Sequence, residues 1–266
     1  MSRDDIISVM TRGLRVMSFN LRGALTPDGW NAWPFRASLV REVLNRHRPQ
    51  VVAFQEMMAP NAWMLRGFLR SYQVVPGVAT GRRLIGPRNA VYVAPELAVT
   101  GRGGFWLGRR PERFGADWGA RQARGATWVR LRHGGGEVLI VDTHLDHESA
   151  EARTEGARLV RERLRGLGWP AVPAIVCGDF NASAGGADHA AWLADGFRDT
   201  WTDTGHRDGS DVFTFHAFRG QPDPAELRID WILYSPPLRP RAAAIVRDAR
   251  PPRYPSDHYP VMADFE

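Results

Sequence analysis

The 266-residue sequence contains one cysteine, no lysine and no long apolar run. With Cys177 alone, neither an internal disulfide nor a cluster of thiolate metal ligands can form. The apolar runs are far too short to span a bilayer, and the first residues, with two early acids and no hydrophobic core region, make a poor secretory signal. We therefore expect a cytoplasmic protein without a transmembrane segment.

Because lysine is absent, arginine supplies all 35 basic side chains, and the arginines are unevenly placed. Between Arg82 and Arg132 there are 11 arginines and only three acids, a net charge of +8 against +6 for the whole chain. A compositional bias against lysine explains the choice of residue but not the clustering. The segment is either a solvated face or a positive rim that attracts an anionic substrate.

Short strand-like runs alternate with helical patterns along the whole chain, and no linker separates them. β-rich runs occupy residues 14–20, 51–56, 89–94, 126–132, 137–143, 173–178, 228–234 and 259–265. Helices are predicted over residues 34–47 and 150–167, and in the second Arg158 and Glu162 have the spacing of a surface ion pair. The pattern predicts one mixed α/β domain over residues 1–266, with residues 1–13 as a loosely ordered N-terminal extension.

Polar side chains recur where the predicted strands end. The run IVCGDFNAS ends with Asp179 and Asn181, which share one face of an extended chain. The other strand ends carry Asn20, Glu56, His144, Asp230, Asp257 and His258. Any one of these residues has a structural explanation, such as a turn, an ion pair or a hydrogen-bonded core histidine. The whole set is better explained by a bound charged group, since buried polar groups are costly unless they have partners.

Six motifs at these strand ends carry a family resemblance: SFNLRG, FQE, DTHLDH, GDFNAS, RIDWIL and SDHYPV, in this order. The ordered set, which extends from Leu14 to Phe265, resembles the endonuclease/exonuclease/phosphatase superfamily of divalent-metal phosphoesterases. Further stretches resemble a bacterial branch of that superfamily with no assigned substrate, although Gly119 and Ala123 depart from the branch's pattern. The resemblance implies a DNase I-like α/β fold, a four-layer α/β/β/α sandwich of two packed mixed β-sheets with the site at one end.

A divalent metal is implied by the resemblance and suits the residue types. Hydrolysis of a phosphate ester requires in-line attack by water while negative charge grows on the phosphoryl oxygens. Mg²⁺ or Mn²⁺ suits carboxylate and amide oxygens as ligands. By the resemblance the ligands would be Glu56, Asn20 and Asp257, and the number of metal ions stays open.

The remaining polar residues would act on water and on the substrate. By the resemblance, Asp179 would orient or deprotonate the attacking water, and Asn181 would position the water or a phosphoryl oxygen. His258, held by Asp230, would bind a phosphoryl oxygen or transfer a proton, so the general base stays open between Asp179 and His258. Contacts with the phosphate or the rest of the substrate would come from His144, Arg124, His147 and His216. For His216, which lies among phenylalanines, a place in the core is an equal alternative.

The sequence thus predicts a monomeric, divalent-metal-dependent hydrolase of an anionic phosphate ester. A small or single-stranded phosphodiester or a phosphomonoester is favoured over duplex DNA, because little chain is left for an insertion that grips a duplex. Nucleic acids and nucleotides stay among the candidate partners. A catalytically silent phosphate-binding protein is the alternative from another class, although no catalytic position is lost. A zinc hydrolase is disfavoured because the histidines are scattered and no HExxH motif occurs.

Overall fold

Strands and helices alternate as the sequence predicts. The computed structural model describes residues 13–80, 87–223 and 227–266. The strands are β1 (Leu14–Asn20), β2 (Val51–Met57), β3 (Gln73–Val75), β4 (Arg88–Val93), β5 (Ala98–Trp106), β6 (Gly125–His133), β7 (Gly136–His144), β8 (Ala174–Asp179), β9 (Arg198–Asp199), β10 (Asp230–Tyr234), β11 (Pro240–Ile245) and β12 (Val261–Phe265). Residues 1–12 of the expected N-terminal extension, and Arg82 and Arg83 of the arginine-rich segment, lie outside the described residues.

Five α-helices and a 3-10 helix at Gly29–Asn31 are described. The α-helices are α1 (Trp33–His47), α2 (Ala59–Leu69), α3 (Ala150–Gly166), α4 (Ala187–Ala194) and α5 (Thr200–Asp203). Pro34 lies in the first turn of α1, and the Ser149 side chain caps α3 by accepting a hydrogen bond from Ala152 N. Arg158 forms the expected ion pair with Glu162 at 3.3 Å. Within the described ranges, no helix combines the length and apolar character needed to cross a membrane.

The strands form two six-stranded sheets, ordered β11-β12-β1-β2-β4-β3 and β5-β6-β7-β8-β10-β9. Each sheet contains one parallel pair, β1–β2 or β7–β8, among antiparallel neighbours, so both are mixed. An apolar core lies between the sheets, α1 and α2 pack on the outer face of the first sheet, and α3 and α4 pack on the outer face of the second. The predicted four-layer α/β/β/α sandwich is confirmed.

The face that each central strand turns towards the other sheet changes from apolar to polar along the strand. Side chains alternate between the two faces of a strand, so every second residue points into the space between the sheets. These inward residues are, strand by strand, Leu14, Val16, Ser18 and Asn20 in β1; Val138, Ile140, Asp142 and His144 in β7; and Ile175, Cys177 and Asp179 in β8. The core between the sheets therefore opens into a polar site at one end.

A buried polar layer separates the apolar core from that site. Gln55 Nε2 lies 2.6 Å from Asp142 Oδ1 and 3.1 Å from Ser18 Oγ, which joins the two sheets through side chains. Burial raises the pKa of Asp142 well above its usual value, against the opposing effect of the Gln55 hydrogen bond. Asp142 thus belongs to the sheet interface, one step below His144 on the same face of β7.

The parallel pairing of β7 and β8 requires a glycine beside Asp179. Gly178 has φ +146°, and a Cβ atom at this position would overlap the backbone carbonyl of Thr143, its neighbour in β7. We predict that Gly178→Ala destabilises the protein by about 3 kcal/mol or more, because both the backbone conformation and the packing oppose a side chain. Thermal or urea unfolding would measure the loss.

Gly67 provides the matched control for this substitution. It lies inside α2, and a Cβ atom there would have no neighbour within 4 Å. Gly67→Ala should leave stability unchanged or raise it by about 0.5–1 kcal/mol, as expected for an exposed helical glycine. Equal unfolding midpoints for the two variants would contradict the account of the β7–β8 contact.

Candidate active site

The polar strand ends meet at one edge of the sandwich. His144 in β7 and Asp230 in β10 are both the register partners of Asp179 in β8. A cavity of about 590 Å³ opens there between the ends of the two sheets. Nine of the predicted site residues line it: Asn20, Glu56, Arg124, His144, His147, Asp179, Asn181, Asp257 and His258. Asp230 lies directly behind this wall and contacts His258.

The Asp179 carboxylate is the centre of the site. It is 2% exposed, and its Oδ2 accepts a hydrogen bond from Asn20 Nδ2 at 2.9 Å. Two histidines approach the same oxygen, with His144 Nε2 at 3.4 Å and His258 Nε2 at 3.7 Å. Asn181 N donates to Asp179 Oδ1 at 3.0 Å. Burial, together with the charge of Asp230, raises the pKa of Asp179 to about 7 despite these favourable partners.

His258 is held as a cation by three carboxylates. Its Nδ1 lies 2.9 Å from Asp230 Oδ2, and Asp230 N is itself bound by Thr214 Oγ1 at 3.1 Å. Burial opposes the charge, but Asp230, Asp179 and Asp257 outweigh it and raise the pKa of His258 well above its usual value. The Phe215 ring, whose centroid lies 5.0 Å from that of His258, covers the imidazole and also lines the cavity.

The opposite wall of the cavity carries carboxylates from the first sheet. The register of β2 against β4 shifts between Phe54 and Met57, and Glu56 within this bulge has φ +57°. A bulge re-aims a side chain, and here it turns the Glu56 carboxylate into the cavity. Glu56 Oε2 accepts a hydrogen bond from Gly23 N at 2.7 Å, and Oε1 lies 3.4 Å from Asn20 Nδ2.

These residues fit a hard divalent cation. Glu56 and Asp257 offer carboxylate oxygens to the same cavity, which is the ligand chemistry that Mg²⁺ and Mn²⁺ prefer. Asn20 is less directly available, because its Oδ1 accepts from Arg22 N at 2.9 Å while its Nδ2 faces two carboxylates. Asp179, Asp230 and His258 also lie close enough to surround an ion. Within this second group, His258 Nδ1 is already hydrogen-bonded to Asp230 Oδ2 at 2.9 Å.

Arg124 organises the side of the cavity formed by the second sheet. Its guanidinium donates to His144 Nε2 at 3.1 Å, to His147 Nδ1 at 2.7 Å and to Asp146 Oδ2 at 3.3 Å. Burial, followed by the positive charge of Arg124, lowers the pKa of His144 well below its usual value. Asp146 is buried, but hydrogen bonds from the backbone of Ser149 and the charge of Arg124 keep the pKa of its carboxyl low.

His216, like Asp230, is a predicted site residue outside the cavity lining. Its side chain is 0% exposed, and its ring packs against Tyr254 and Tyr259 at centroid distances of 4.8 and 4.2 Å. This packing favours the core alternative for His216 over a substrate contact, which stays an untested prediction. Its neighbour Phe215 lines the cavity instead.

The arginine-rich segment contributes less to the cavity than the positive-rim alternative requires. Of its members within the described residues, Arg124 is the one in the cavity wall. Arg109 pairs with Asp117 at 2.5 Å, and Arg130 pairs with Glu137 at 3.5 Å, both away from the cavity. Sequence analysis did not predict two charged residues of the site, Arg22 and Asp146. Arg22 lies in the motif SFNLRG, and Asp146 lies in the motif DTHLDH.

The comparisons with known proteins agree with this fold. The model of the endonuclease/exonuclease/phosphatase family matches residues 17–258, and the chain belongs to this family. A mannosyl-6-phosphatase from Bacteroides thetaiotaomicron is 26% identical, with 95% of this chain and 99% of that chain covered and a TM-score of 0.85. A family protein from Bacteroides vulgatus is 26% identical, with 96% and 98% covered and a TM-score of 0.85.

For a more distant structure, the likeness shows a shared fold and nothing further. D. rerio TDP2 in complex with a single-strand DNA product is 19% identical, with 96% of this chain and 99% of that chain covered and a TM-score of 0.74. No curated protein sequence matches this chain.

The charge of His258 depends on Asp230, and this dependence can be measured. In metal-free protein, Asp230→Asn should lower the pKa of His258, because it removes the carboxylate that raises that pKa most. The protonated ring would then be lost at a lower pH than in the wild type. NMR titration of the His258 ring in EDTA would report the shift.

Asp248→Asn is the control for this titration. Asp248 Oδ2 lies 2.9 Å from Nε2 of another histidine, His47, on the surface, so the substitution breaks a histidine–carboxylate contact elsewhere. It should leave the His258 titration unchanged. A His258 titration that is the same in Asp230→Asn and the wild type would remove Asp230 as the source of the ring's charge.

Proposed function

We propose that the protein hydrolyses a phosphate ester by attack of water on phosphorus, with a divalent cation in the site. The observation that carries this proposal is the arrangement around Asp179. A buried carboxylate with a pKa near neutrality lies within 4 Å of a cationic histidine and opens into a cavity lined by metal-type carboxylates. Attack of water on an ester requires one group that accepts a proton and another that donates a proton or a hydrogen bond. Here the different environments of the two side chains keep their pKa values apart.

In this mechanism Asp179 is the general base. A pKa of about 7 allows its carboxylate to accept a proton from water as the water oxygen bonds to phosphorus. Asn181, whose Nδ2 donates to Leu145 O at 3.0 Å, is held rigidly enough to position that water or a phosphoryl oxygen. The ester P–O bond breaks in line, on the side of phosphorus away from Asp179, and the leaving oxygen takes its proton from solvent. His258, held by Asp230 and next to Asp179, would donate a hydrogen bond to a phosphoryl oxygen.

Glu56 and Asp257 would hold the divalent cation, with Asn20 beside them. When bound, Mg²⁺ or Mn²⁺ would neutralise charge on the phosphoryl oxygens and so stabilise the transition state. On the other side, Arg124 has guanidinium hydrogens left after its contacts with His144 and His147, and it would bind a phosphoryl oxygen there. His147, which is half exposed, would meet the part of the substrate beyond the phosphate.

The substrate is best described as a small or single-stranded phosphoester. A cavity of about 590 Å³ has the size of small-molecule sites rather than of a duplex groove. The name of one similar structure, a mannosyl-6-phosphatase, supports a sugar phosphate monoester. Hydrolysis of duplex DNA and phosphate binding without turnover are the competing functions. The ester assays below separate turnover from binding alone, and an assay with duplex DNA separates the two hydrolase functions.

Metal dependence should act through Glu56. With p-nitrophenyl phosphate and bis-p-nitrophenyl phosphate as substrates, wild-type turnover should need Mg²⁺ or Mn²⁺ and be lost in EDTA. Glu56→Gln should lower kcat/KM by about 100-fold or more, since a charged metal ligand is lost while the fold is kept. Glu137→Gln, at the far end of β7, is the control and should keep full activity. Undiminished turnover in excess EDTA would refute the proposed metal chemistry. Binding of a phosphate ester without turnover would favour the catalytically silent phosphate-binding protein.

Asp179 and Asp142 form a matched pair on the inward faces of neighbouring strands. Asp179→Asn should abolish nearly all turnover at every pH, because the amide cannot accept the proton of water. Asp142→Asn should retain most of the activity, because burial already favours the uncharged form of that carboxyl. Steady-state rates between pH 5 and 9, with circular dichroism to check folding, would test both. Substantial turnover in Asp179→Asn would leave His258 as the base.

A further inference from the structure

Arg22 lies in the cavity wall in a backbone conformation that arginine rarely adopts. It follows Asn20 by two residues, lines the cavity and has φ +53°. The left-handed conformation costs a residue with a side chain about 1–2 kcal/mol. Glycine would form the same turn without this cost, so the turn alone does not explain an arginine at this position.

The strained backbone of Arg22 is fixed from both sides. Its N–H donates to Asn20 Oδ1 at 2.9 Å, and its carbonyl oxygen accepts from Arg36 NH2 at 2.6 Å. Arg36 is buried and also donates to the carbonyl oxygens of Leu21 and Pro255, which ties the turn to the segment before Asp257. Such over-determined strain is typical of functional positions.

The Arg22 side chain is fixed on one edge and open on the other. Asp28 holds it in a bidentate contact, accepting from Nε and NH2 at 3.1 Å each. Among the described residues, NH1 has its nearest carboxylate in Asp257, at 3.6 Å, which is beyond hydrogen-bond distance. The side chain is 36% exposed. The NH1 hydrogens therefore face the cavity beside the carboxylates of the first sheet.

A purely structural role for Arg22 would be to neutralise Asp28 and Asp257. Pairing with Asp28 does not need the cavity position, because Asp28 could be paired from outside the site, and Asp257 lies 3.6 Å from NH1 without a hydrogen bond. A structural role also leaves NH1 of a preorganised guanidinium without a hydrogen-bond acceptor among the described residues, and the acceptor oxygens of a phosphate match that edge.

We propose that Arg22 binds a non-bridging oxygen of the substrate's phosphoryl group and makes the site selective for a phosphate monoester. This inference rests on the proposed phosphoesterase function. Arg22 follows β1 of the first sheet and Arg124 precedes β6 of the second sheet, so the cavity presents guanidinium groups from both sheets.

The charge of the phosphoryl group determines which ester Arg22 binds more strongly. A monoester carries two negative charges on three non-bridging oxygens near neutral pH, whereas a diester carries one charge on two. Each additional charge-assisted hydrogen bond therefore favours the monoester. Loss of Arg22 should therefore lower kcat/KM for the monoester more than kcat/KM for the diester.

The test compares Arg22→Gly and Arg22→Lys with the wild type on p-nitrophenyl phosphate and bis-p-nitrophenyl phosphate. Arg22→Gly relieves the backbone strain, so the protein should stay folded. We expect kcat/KM to fall about 100-fold for the monoester and about tenfold or less for the diester. Isothermal titration with inorganic phosphate, with and without Mg²⁺, should show weaker binding in Arg22→Gly and an intermediate value in Arg22→Lys.

Arg48 offers a closely matched control. It is also an arginine with positive φ, +45°, but it ends α1 in an exposed position away from the cavity. Arg48→Gly should leave both esters and phosphate binding unchanged. A folded Arg22→Gly with wild-type phosphate affinity, or with equal losses on the two esters, would overturn the proposal.

The two proposals fail in different ways. If the wild type hydrolyses neither ester with Mg²⁺ or Mn²⁺, the proposed function fails, yet the phosphate titration still decides whether Arg22 binds a phosphoryl group. If the wild type prefers the diester, the monoester assignment fails while the hydrolase function stands.

Discussion

The site depends on one geometric constraint, the alternation of side chains along paired strands. Every second residue of β1, β7 and β8 must face the opposite sheet, so each strand can bury apolar residues at one end and present a polar residue at the other. Because the register aligns His144 with Asp179 and Asp179 with Asp230, three polar ends are forced together. The Asn20–Asp179 hydrogen bond then joins the two sheets where the core ends.

A cluster of buried acids at that junction needs positive charge nearby, and arginine supplies it in two ways. Arg124 and Arg22 stand in the cavity wall, where they can meet an anion directly. Arg36 stands behind the wall, hydrogen-bonded to backbone carbonyls rather than to a carboxylate. Burial lowers the pKa of Arg36 to about 10, so it stays charged at neutral pH. A planar guanidinium can reach several carbonyls at once, which a lysine ammonium does less well.

The sequence was informative wherever local pattern decides structure. Strand ends, the fold and the meeting of polar groups follow from alternation and motif order, and α3 was predicted to within one residue of its end. The strand β5 was missed because three glycines weaken its signal, although it pairs along its length with β6. The orientation of Glu56 could not be predicted from alternation, since a bulge and a positive φ reverse the face that alternation would give it, and only the family resemblance indicated its place in the site.

Contacts between distant segments also escaped sequence reasoning. Asp28 fixes Arg22 locally, but the carbonyl of Pro255 reaches Arg36 across 219 residues, and no pattern in either segment signals that contact. His216 shows the same limit in reverse. A histidine among aromatic residues in the sequence can be either a substrate contact or a residue of the core. The packing of Tyr254 and Tyr259 against His216 distinguishes the two.

The two histidines on either side of Asp179 show how environment assigns chemical roles to one residue type. Both place Nε2 within 4 Å of the same carboxylate oxygen. Arg124 donates to His144 Nε2, which must therefore offer a lone pair, and burial with this charge lowers the pKa of His144. Carboxylates surround His258 and raise its pKa. In the proposed reaction His258 is therefore the histidine that donates a hydrogen bond to the phosphoryl group, while His144 accepts the hydrogen bond of Arg124.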